Sequence, residues 1–111
     1  MLIGAGGATS AGSFDGITQS YDTIGDSWLT KTRSSTGRDD GPGFMVDQNV
    51  YLISGEVAAN TVGNSCERYD YVTDTWASVA NVTVARRQGV GSSANNGGFS
   101  ITGNDSGSAS A

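Results

Sequence analysis

The stretch YDTIGDSW at residues 21–28 returns as YDYVTDTW at residues 69–76, which is 48 positions further along the chain. The same offset aligns further identical residues: Gly7 with Gly55, Arg38 with Arg86, Gly41 with Gly89, Gly43 with Gly91, and Ile53-x-Gly55 with Ile101-x-Gly103. Self-similarity at a period of this size is typical of propeller blades and solenoid units, in which each unit buries its apolar face against a neighbour. The sequence therefore predicts a repeat protein whose function depends on an assembly of units.

Short runs of β-forming residues, separated by turn residues, fill each period. In the second period these runs are residues 43–46, 50–53, 66–71 and 76–79. Asp47-Gln48-Asn49 joins the first two runs and is typical of a hairpin turn. No stretch of the chain has the apolar spacing of a helix. We therefore expect an all-β chain with four short antiparallel strands in each full period.

The repeat resembles the kelch family at the residues that define that family. These are an apolar strand that ends in glycine, a Tyr-Asp pair, a Trp about six residues later and an Arg that leads into the next unit. The matching positions are Gly7, Tyr21, Asp22, Trp28 and Arg38 in the first copy, Gly55, Tyr69, Asp70, Trp76 and Arg86 in the second, and Gly103 in the third. The second glycine of the family pattern is present only at Gly6-Gly7.

The resemblance implies kelch-like β-propeller blades: two four-stranded blades and the start of a third. It divides the chain into a repeat domain at residues 1–104, with repeats at about 1–42 and 43–90 and a third, partial repeat from 91. A tail rich in Gly, Ser and Ala follows at 105–111. Similar blades occur in structural and adhesive proteins of tailed bacteriophages.

Two blades cannot close a propeller, because each open sheet face needs a neighbour. Propellers have about four to eight blades, so three copies of this chain would form a six-bladed ring. We therefore expect either a homotrimer or a longer array of which these 111 residues are a part.

Composition excludes several classes of function. The chain has 11 acidic and 6 basic residues, a net charge of −5 and no histidine. Phosphates would be repelled, so we expect no nucleic-acid partner. Without histidine, imidazole catalysis and copper oxidation of the galactose oxidase type are excluded. Cys66 is the single cysteine and lies in a predicted strand, so we expect a buried, inert thiol rather than a nucleophile.

These observations predict a protein that is not an enzyme and that holds no metal or other cofactor. The Asp residues of the two copied turns are explained by hydrogen bonds to turn amides. No segment is long and apolar enough to enter a membrane. Met1-Leu2-Ile3 leads directly into a strand without an export signal, which favours assembly in a cytoplasm.

The aromatic and charged residues have separate expected roles. We expect Trp28 and Trp76 to pack between blades rather than to stack on sugars, and Arg38 and Arg86 to play equivalent roles between blades. Residues that do not repeat are better candidates for a specific contact. These candidates are Phe14, Asp39, Asp40 and Arg87.

The function expected from this sequence is that of a structural or binding module. The most concrete setting is a virion, as a capsid decoration or tail adhesion protein that contacts other virion proteins or a host surface. The alternative is an extracellular, carbohydrate-binding propeller lectin formed by oligomerisation. An intracellular scaffold and a fragment of a larger enzyme also remain open.

Overall fold

The computed structural model describes residues 2–10, 13–101 and 103–105, and these residues form only strands, turns and loops. Most of the expected 105–111 tail lies outside the described residues. The strands, in chain order, are β1 (Leu2–Ala5), β2 (Ala8–Ser10), β3 (Ser13–Phe14), β4 (Thr18–Asp22), β5 (Ser27–Lys31), β6 (Gly43–Val46), β7 (Asn49–Ile53), β8 (Glu56–Ala58), β9 (Thr61–Val62), β10 (Cys66–Asp70), β11 (Thr75–Val79), β12 (Val90–Ala94) and β13 (Gly97–Ile101). The predicted all-β class is confirmed.

Three antiparallel sheets follow one another along the chain. The second is complete, with the strand order β11-β10-β7-β6. The first has the order β1-β4-β5, and the third consists of β12 and β13. The first sheet has three described strands rather than the predicted four, since β1, β4 and β5 are the counterparts of β7, β10 and β11 and no described strand takes the place of β6.

The repeated motif builds the same hairpin in the first and second sheets. Tyr21 lies opposite Trp28, and Tyr69 lies opposite Trp76. The ring centroids of the two pairs are 5.2 and 5.0 Å apart. The rings are tilted against each other, and such cross-strand aromatic pairs stabilise an antiparallel pair of strands, so the repeated Tyr and Trp favour the same register in each hairpin.

Aspartates close this hairpin, as the sequence predicts. The Asp70 carboxylate accepts hydrogen bonds from the Val72 amide at 2.9 Å and the Thr73 amide at 3.3 Å. The Tyr69 hydroxyl donates to Asp74 Oδ1 at 2.7 Å. Asp74 has a φ of 53°, a left-handed conformation that Asp tolerates better than most residues.

The strands of the second sheet supply the apolar core. Leu52, Ile53, Cys66 and Tyr69 are buried. They belong to β7 and β10, the two central strands of the sheet. The core is therefore small, and large apolar side chains of the first and third sheets remain exposed, such as those of Trp28, Leu29, Phe99 and Ile101.

The glycine after the apolar strand is required by its backbone. Gly7, Gly55 and Gly103 have φ values of 114°, 95° and 111°. A Cβ at Gly55 would lie 2.7 Å from the Asp39 carbonyl oxygen, and one at Gly103 would lie 2.6 Å from that of Arg87. The left-handed backbone disfavours a side chain at all three positions, and at Gly55 and Gly103 the close approach of the next connection excludes one as well.

Candidate interaction surfaces

The connection from β5 to β6 joins the first sheet to the second, and it buries an arginine. The Arg38 side chain is 2% exposed. Its Nη1 donates to the carbonyl oxygens of Ser54 at 2.5 Å and Ser65 at 2.8 Å. Its Nη2 donates to the Glu67 carboxylate at 2.9 Å. Arg38 thus ties the incoming connection to three points of the second sheet.

Glu67 receives further hydrogen bonds from the same connection. Its carboxylate is 3% exposed and accepts from the Ser35 amide at 2.9 Å, the Ser35 hydroxyl at 2.6 Å and the Thr36 amide at 3.3 Å. Burial acts to raise the pKa of Glu67, but the hydrogen bonds from Ser35 and Arg38 outweigh it and lower the pKa below its usual range. The group is therefore a carboxylate at neutral pH.

Acid should weaken the junction between the first and second sheets that Arg38 and Glu67 form. The pKa of Glu67 is lower in the folded chain than its ordinary value of 4.5, so its stabilising contribution is complete above that pH and is lost as the pH falls through the folded pKa. We expect Glu67→Gln to be clearly less stable than wild type at neutral pH and closer to it at about pH 3. Urea unfolding at both pH values measures this, and an unchanged difference would contradict the ionised role. Five other carboxyls with lowered pKa values are common to both proteins: Asp15, Asp22, Glu56, Asp70 and Asp74.

A second contact joins the first and second sheets at their β5 and β11 edges. The Thr32 amide donates to Asp74 Oδ1 at 2.9 Å, and the Trp76 indole Nε1 donates to the Thr32 carbonyl oxygen at 2.8 Å. The turn aspartate and the strand tryptophan of the second sheet therefore hold both polar groups of one backbone unit from the first sheet. The Asp-x-Trp part of the motif has this inter-sheet role in addition to closing its own hairpin.

Equivalent residues of successive repeats meet at the opposite edge of the sheets, along β6 and β12 and just before them. This edge is called the inner edge below. The Gln88 amide donates to the Asp40 carbonyl oxygen at 2.7 Å, although these residues are 48 positions apart. Gly91 packs against Gly43 so closely that a Cβ at Gly91 would lie 2.0 Å from the Gly43 carbonyl oxygen. The Ser93 hydroxyl donates to the carbonyl of Met45, again its counterpart.

Counterpart strands of successive repeats are in contact in one case and apart in others. Strands β6 and β12, which are counterparts, lie against each other. Within the described residues, the counterpart pairs β4 with β10 and β5 with β11 make no comparable contact. The second and third sheets therefore meet along β6 and β12, whereas the first and second sheets are joined through the connection from β5 to β6 rather than by contact between these counterpart strands.

The first sheet has an open face that carries the counterparts of the residues by which the second sheet holds the first. Trp28, the counterpart of Trp76, is 51% exposed and makes no hydrogen bond among the described residues. Asp26 and Gln19, the counterparts of Asp74 and Glu67, are also exposed. The expectation that Trp28 is packed between units is not met within this chain, because no described segment covers it.

The opposite end of the chain presents the other half of the junction. Ala80 and Thr83 are exposed and are the counterparts of Thr32 and Ser35. The Arg86 guanidinium donates to the Gly103 carbonyl oxygen at 3.5 Å. Among the described residues it has no carboxylate partner like the Glu67 partner of Arg38. Arg38 and Arg86 are therefore not equivalent in this chain.

The four predicted contact residues have structural partners. Phe14 lies in β3 opposite Ala8 and is half-buried. Asp39 exchanges backbone hydrogen bonds with Glu56, at 2.9 and 2.8 Å. Asp40 Oδ2 accepts from the Gln88 side chain at 3.3 Å.

The remaining contact candidate, Arg87, has an ionic partner. It forms an ion pair with Glu56 and donates through Nε to Asn104 Oδ1 at 3.2 Å. These bonds fix the connections beside the small β8–β9 hairpin. All four candidates therefore have contacts within the chain, and their role in binding a partner stays a prediction.

A cleft of about 380 Å³ separates β1 from the inner strands of the second sheet. Its walls include Leu2 and Ile3 on one side, and Phe44, Met45 and Leu52 on the other. Because β1 is an edge strand of its sheet, one side of its backbone faces this region without a neighbouring strand among the described residues. The cleft is thus mainly apolar and lies beside an unpaired strand edge.

Glu67 is the functional residue that sequence reasoning missed. A comparison of the repeats finds only identical residues. It overlooks Glu67 because the counterpart of Glu67 is Gln19. The available signal was chemical: a carboxylate in a strand rich in core residues needs a cationic partner. Arg38 is that partner, and it was identified on its own.

Metal ligation and membrane spanning find no support among the described residues. They contain no group of three or more Cys, Asp or Glu side chains arranged to hold a metal ion. Nor do residues 2–10, 13–101 and 103–105 include a helical segment with the length and hydropathy needed to cross a bilayer.

Comparisons with known proteins place the fold but not the function. No protein-family model matches this sequence, and no curated protein matches it. Among solved structures, that of YjhT matches 81% of this chain with a TM-score of 0.72 and 18% sequence identity. The match covers 27% of the YjhT chain, so the present chain spans about a quarter of that protein's length. At this identity the likeness concerns the fold alone, and the chain shares the strand arrangement of a segment of YjhT.

Proposed function

We propose that this chain is a nonenzymatic, kelch-like β-propeller module that acts by presenting surfaces to other proteins. The observation that carries the proposal is the contact between equivalent residues along β6 and β12, such as Gly43 with Gly91. Units related by rotation bring equivalent atoms into contact only near the rotation axis. Units stacked by translation would keep the same spacing at their inner and outer strands.

The restriction of such contacts to β6 and β12 supports rotation rather than stacking, because the counterpart pairs β4 with β10 and β5 with β11 make no comparable contact among the described residues. Propellers of four to eight blades turn by about 45–90° from one blade to the next. The inner strand β6 would then line the axis and β11 the rim. The match to about a quarter of a longer chain agrees with a module that is one part of such a ring.

The polar groups within the described residues support a structural rather than a catalytic role. Glu67 and Arg38, the most deeply buried charged pair, neutralise each other at the junction between sheets. The largest carboxylate-bearing motif, Tyr-Asp-x-x-x-Asp-x-Trp, is used in turns and inter-sheet hydrogen bonds. We therefore assign the chain to binding and assembly, with a homotrimer of six blades as the proposed closed form.

The proposed setting is a virion, on the basis of the kelch-like resemblance to tailed-bacteriophage proteins. There the module would hold other virion proteins or meet a host surface. Mass spectrometry of purified particles, from a source that encodes the chain, tests this setting. Peptides of the chain at a fixed ratio to the capsid protein would support it. Their absence from particles, when the chain is present in the producing cells, would contradict it.

A carbohydrate-binding role is the second candidate, because the half-exposed indole of Trp28 offers an aromatic face. Sugars that stack on this ring would change tryptophan fluorescence. Fluorescence titration of wild type with neutral monosaccharides tests the idea, and calorimetric titration of wild type and Trp28→Ala shows whether the ring is required. A saturable change that the variant loses would favour the lectin, and no change in wild type would dismiss it.

A further inference from the structure

We propose that the two ends of this chain bind each other in neighbouring copies, so that the first sheet of one copy docks behind the second sheet of another. The proposal rests on the propeller module proposed above and names its partner and its contacts. The junction between the first and second sheets within the chain is the template for this contact. Each polar group of that junction has a counterpart on one of the two open ends.

The outer part of the template is the clamp on Thr32. Its counterpart joins Asp26 and Trp28 of one copy to the backbone of Ala80 in a second copy. The carboxylate would accept from the Ala80 amide, and the indole Nε1 would donate to the Ala80 carbonyl, as Asp74 and Trp76 do at Thr32. The two hydrogen bonds of the clamp end on backbone atoms of Thr32, so they are retained when the residue is Ala80, and only the additional interaction of the Thr32 side chain with Asp74 is lost.

The buried part of the template is the Arg38–Glu67 pair. Its counterpart joins Arg86 of a second copy to Gln19. The amide oxygen of glutamine accepts a hydrogen bond from a guanidinium but carries no charge, so this contact is weaker than the internal ion pair. Thr83 keeps the hydroxyl that Ser35 uses at the internal junction. The donors and acceptors therefore match, and one charge is missing.

The inner part of the contact is supplied by strand pairing. In the second sheet, Gly43 lies opposite Leu52 as β6 pairs with β7. The 48-residue offset makes β12 of a second copy the matching partner of β1, with its Gly91 opposite Gly4. The apolar cleft beside the open edge of β1 receives that strand.

The first sheet would then have four strands, in the order β12-β1-β4-β5, like the second sheet. Strand β13 and strand β1 are counterparts, so they compete for the same place beside β12. Docking therefore requires β13 to leave β12 when β1 of the other copy pairs with it. The half-exposed side chain of Phe99, on β13, reflects how little of this strand is covered in the single chain.

The decisive test restores the missing charge. Gln19→Glu converts the proposed contact with Arg86 into a copy of the Arg38–Glu67 pair, and we expect it to tighten self-association by about tenfold or more. Sedimentation equilibrium over a dilution series measures the dissociation constant. Adding Arg86→Gln to Gln19→Glu should remove the gain. Unchanged association of Gln19→Glu would overturn the proposal, as would a gain that persists without Arg86.

Mixing two defective variants tests the head-to-tail direction. Trp28→Ala damages one end and Arg86→Ala the other, so each alone should associate at least about tenfold more weakly than wild type. An equimolar mixture should form a heterodimer that grows no further, because only one intact pair of ends remains. Failure of the mixture to associate beyond either variant alone would exclude this direction.

Ile24→Ser is the matched surface control. Ile24 is 96% exposed on the same sheet, and its counterpart Val72 stays 66% exposed although its own sheet is docked. The variant should therefore associate like wild type, and a loss would show that the apolar surface itself drives association. A chain that stays monomeric as wild type and as Gln19→Glu overturns the docking proposal and, with it, the homotrimer, but not the nonenzymatic virion module. The virion module is tested separately by particle composition.

Discussion

Replacing Glu67 with alanine is expected to lower the free energy of unfolding by about 3–5 kcal/mol, because the buried Arg38 guanidinium then loses its carboxylate partner. The loss also releases Ser35 and Thr36, whose donors all point at the same carboxylate. The connection between the two sheets therefore loses both its charge balance and its anchor. Urea unfolding of the chain at high dilution, followed by far-ultraviolet circular dichroism, measures the effect.

Gln19→Ala is the matched control, since Gln19 occupies the same repeat position in the first sheet. It is exposed, and we expect its truncation to change stability by no more than about 0.5 kcal/mol. A Glu67→Ala effect as small as that of the control would mean that the buried pair does not hold the sheets together. Arg38→Ala should resemble Glu67→Ala, and Arg86→Ala should resemble the control.

Trp76→Ala is expected to cost about 3 kcal/mol, near the lower end for a buried aromatic because the indole is only partly covered. The substitution removes the stacking on Tyr69 and the hydrogen bond to the Thr32 carbonyl. Trp76→Phe separates the two contributions, since it keeps a ring against Tyr69 and removes only the donor. Circular dichroism is the suitable probe, because each variant changes the tryptophan fluorescence directly.

Trp28→Ala provides the comparison within the same repeat position. The indole is half-exposed and holds no described backbone segment, so at high dilution its loss should cost clearly less than that of Trp76. The difference between the free energies of unfolding of Trp28→Ala and Trp76→Ala measures how much the contact of Trp76 with Thr32 stabilises the chain. Equal losses would mean that stacking within each hairpin accounts for the whole effect.

Local signals in the sequence were sufficient for the strands of the second repeat. The predicted run at residues 43–46 is β6 without change, and the other three runs differ from β7, β10 and β11 by one residue at an end. Turn residues and alternating β-formers act within a few positions, so their effect can be read from the sequence. The small hairpins β2–β3 and β8–β9 are absent from the predicted runs, because strands of two or three residues are too short to show an alternating pattern.

Contacts between sheets were less accessible to sequence reasoning. The Arg at positions 38 and 86 repeats, but its partner is Glu67 in one repeat and Gln19 in the other. A search for identity therefore finds the cation and overlooks the anion. The two tryptophans repeat as well, yet only Trp76 has a neighbouring segment to bind. Identical residues differ in burial here because their neighbours differ.

The contacts between equivalent residues at the inner edge restrict how the repeat can diverge. At such a position a residue meets its own duplicate, so any side chain copied faithfully must be compatible with itself. Two aspartates at positions 40 and 88 would place like charges side by side, whereas Gln88 donates to Asp40 through both its backbone and its side chain. Glycine is compatible with itself, and Gly43 and Gly91 have stayed the same. An exact copy of Asp40 at position 88 would thus make the inner edge repulsive. The change to Gln88 at that position allows the adjacent units to fit.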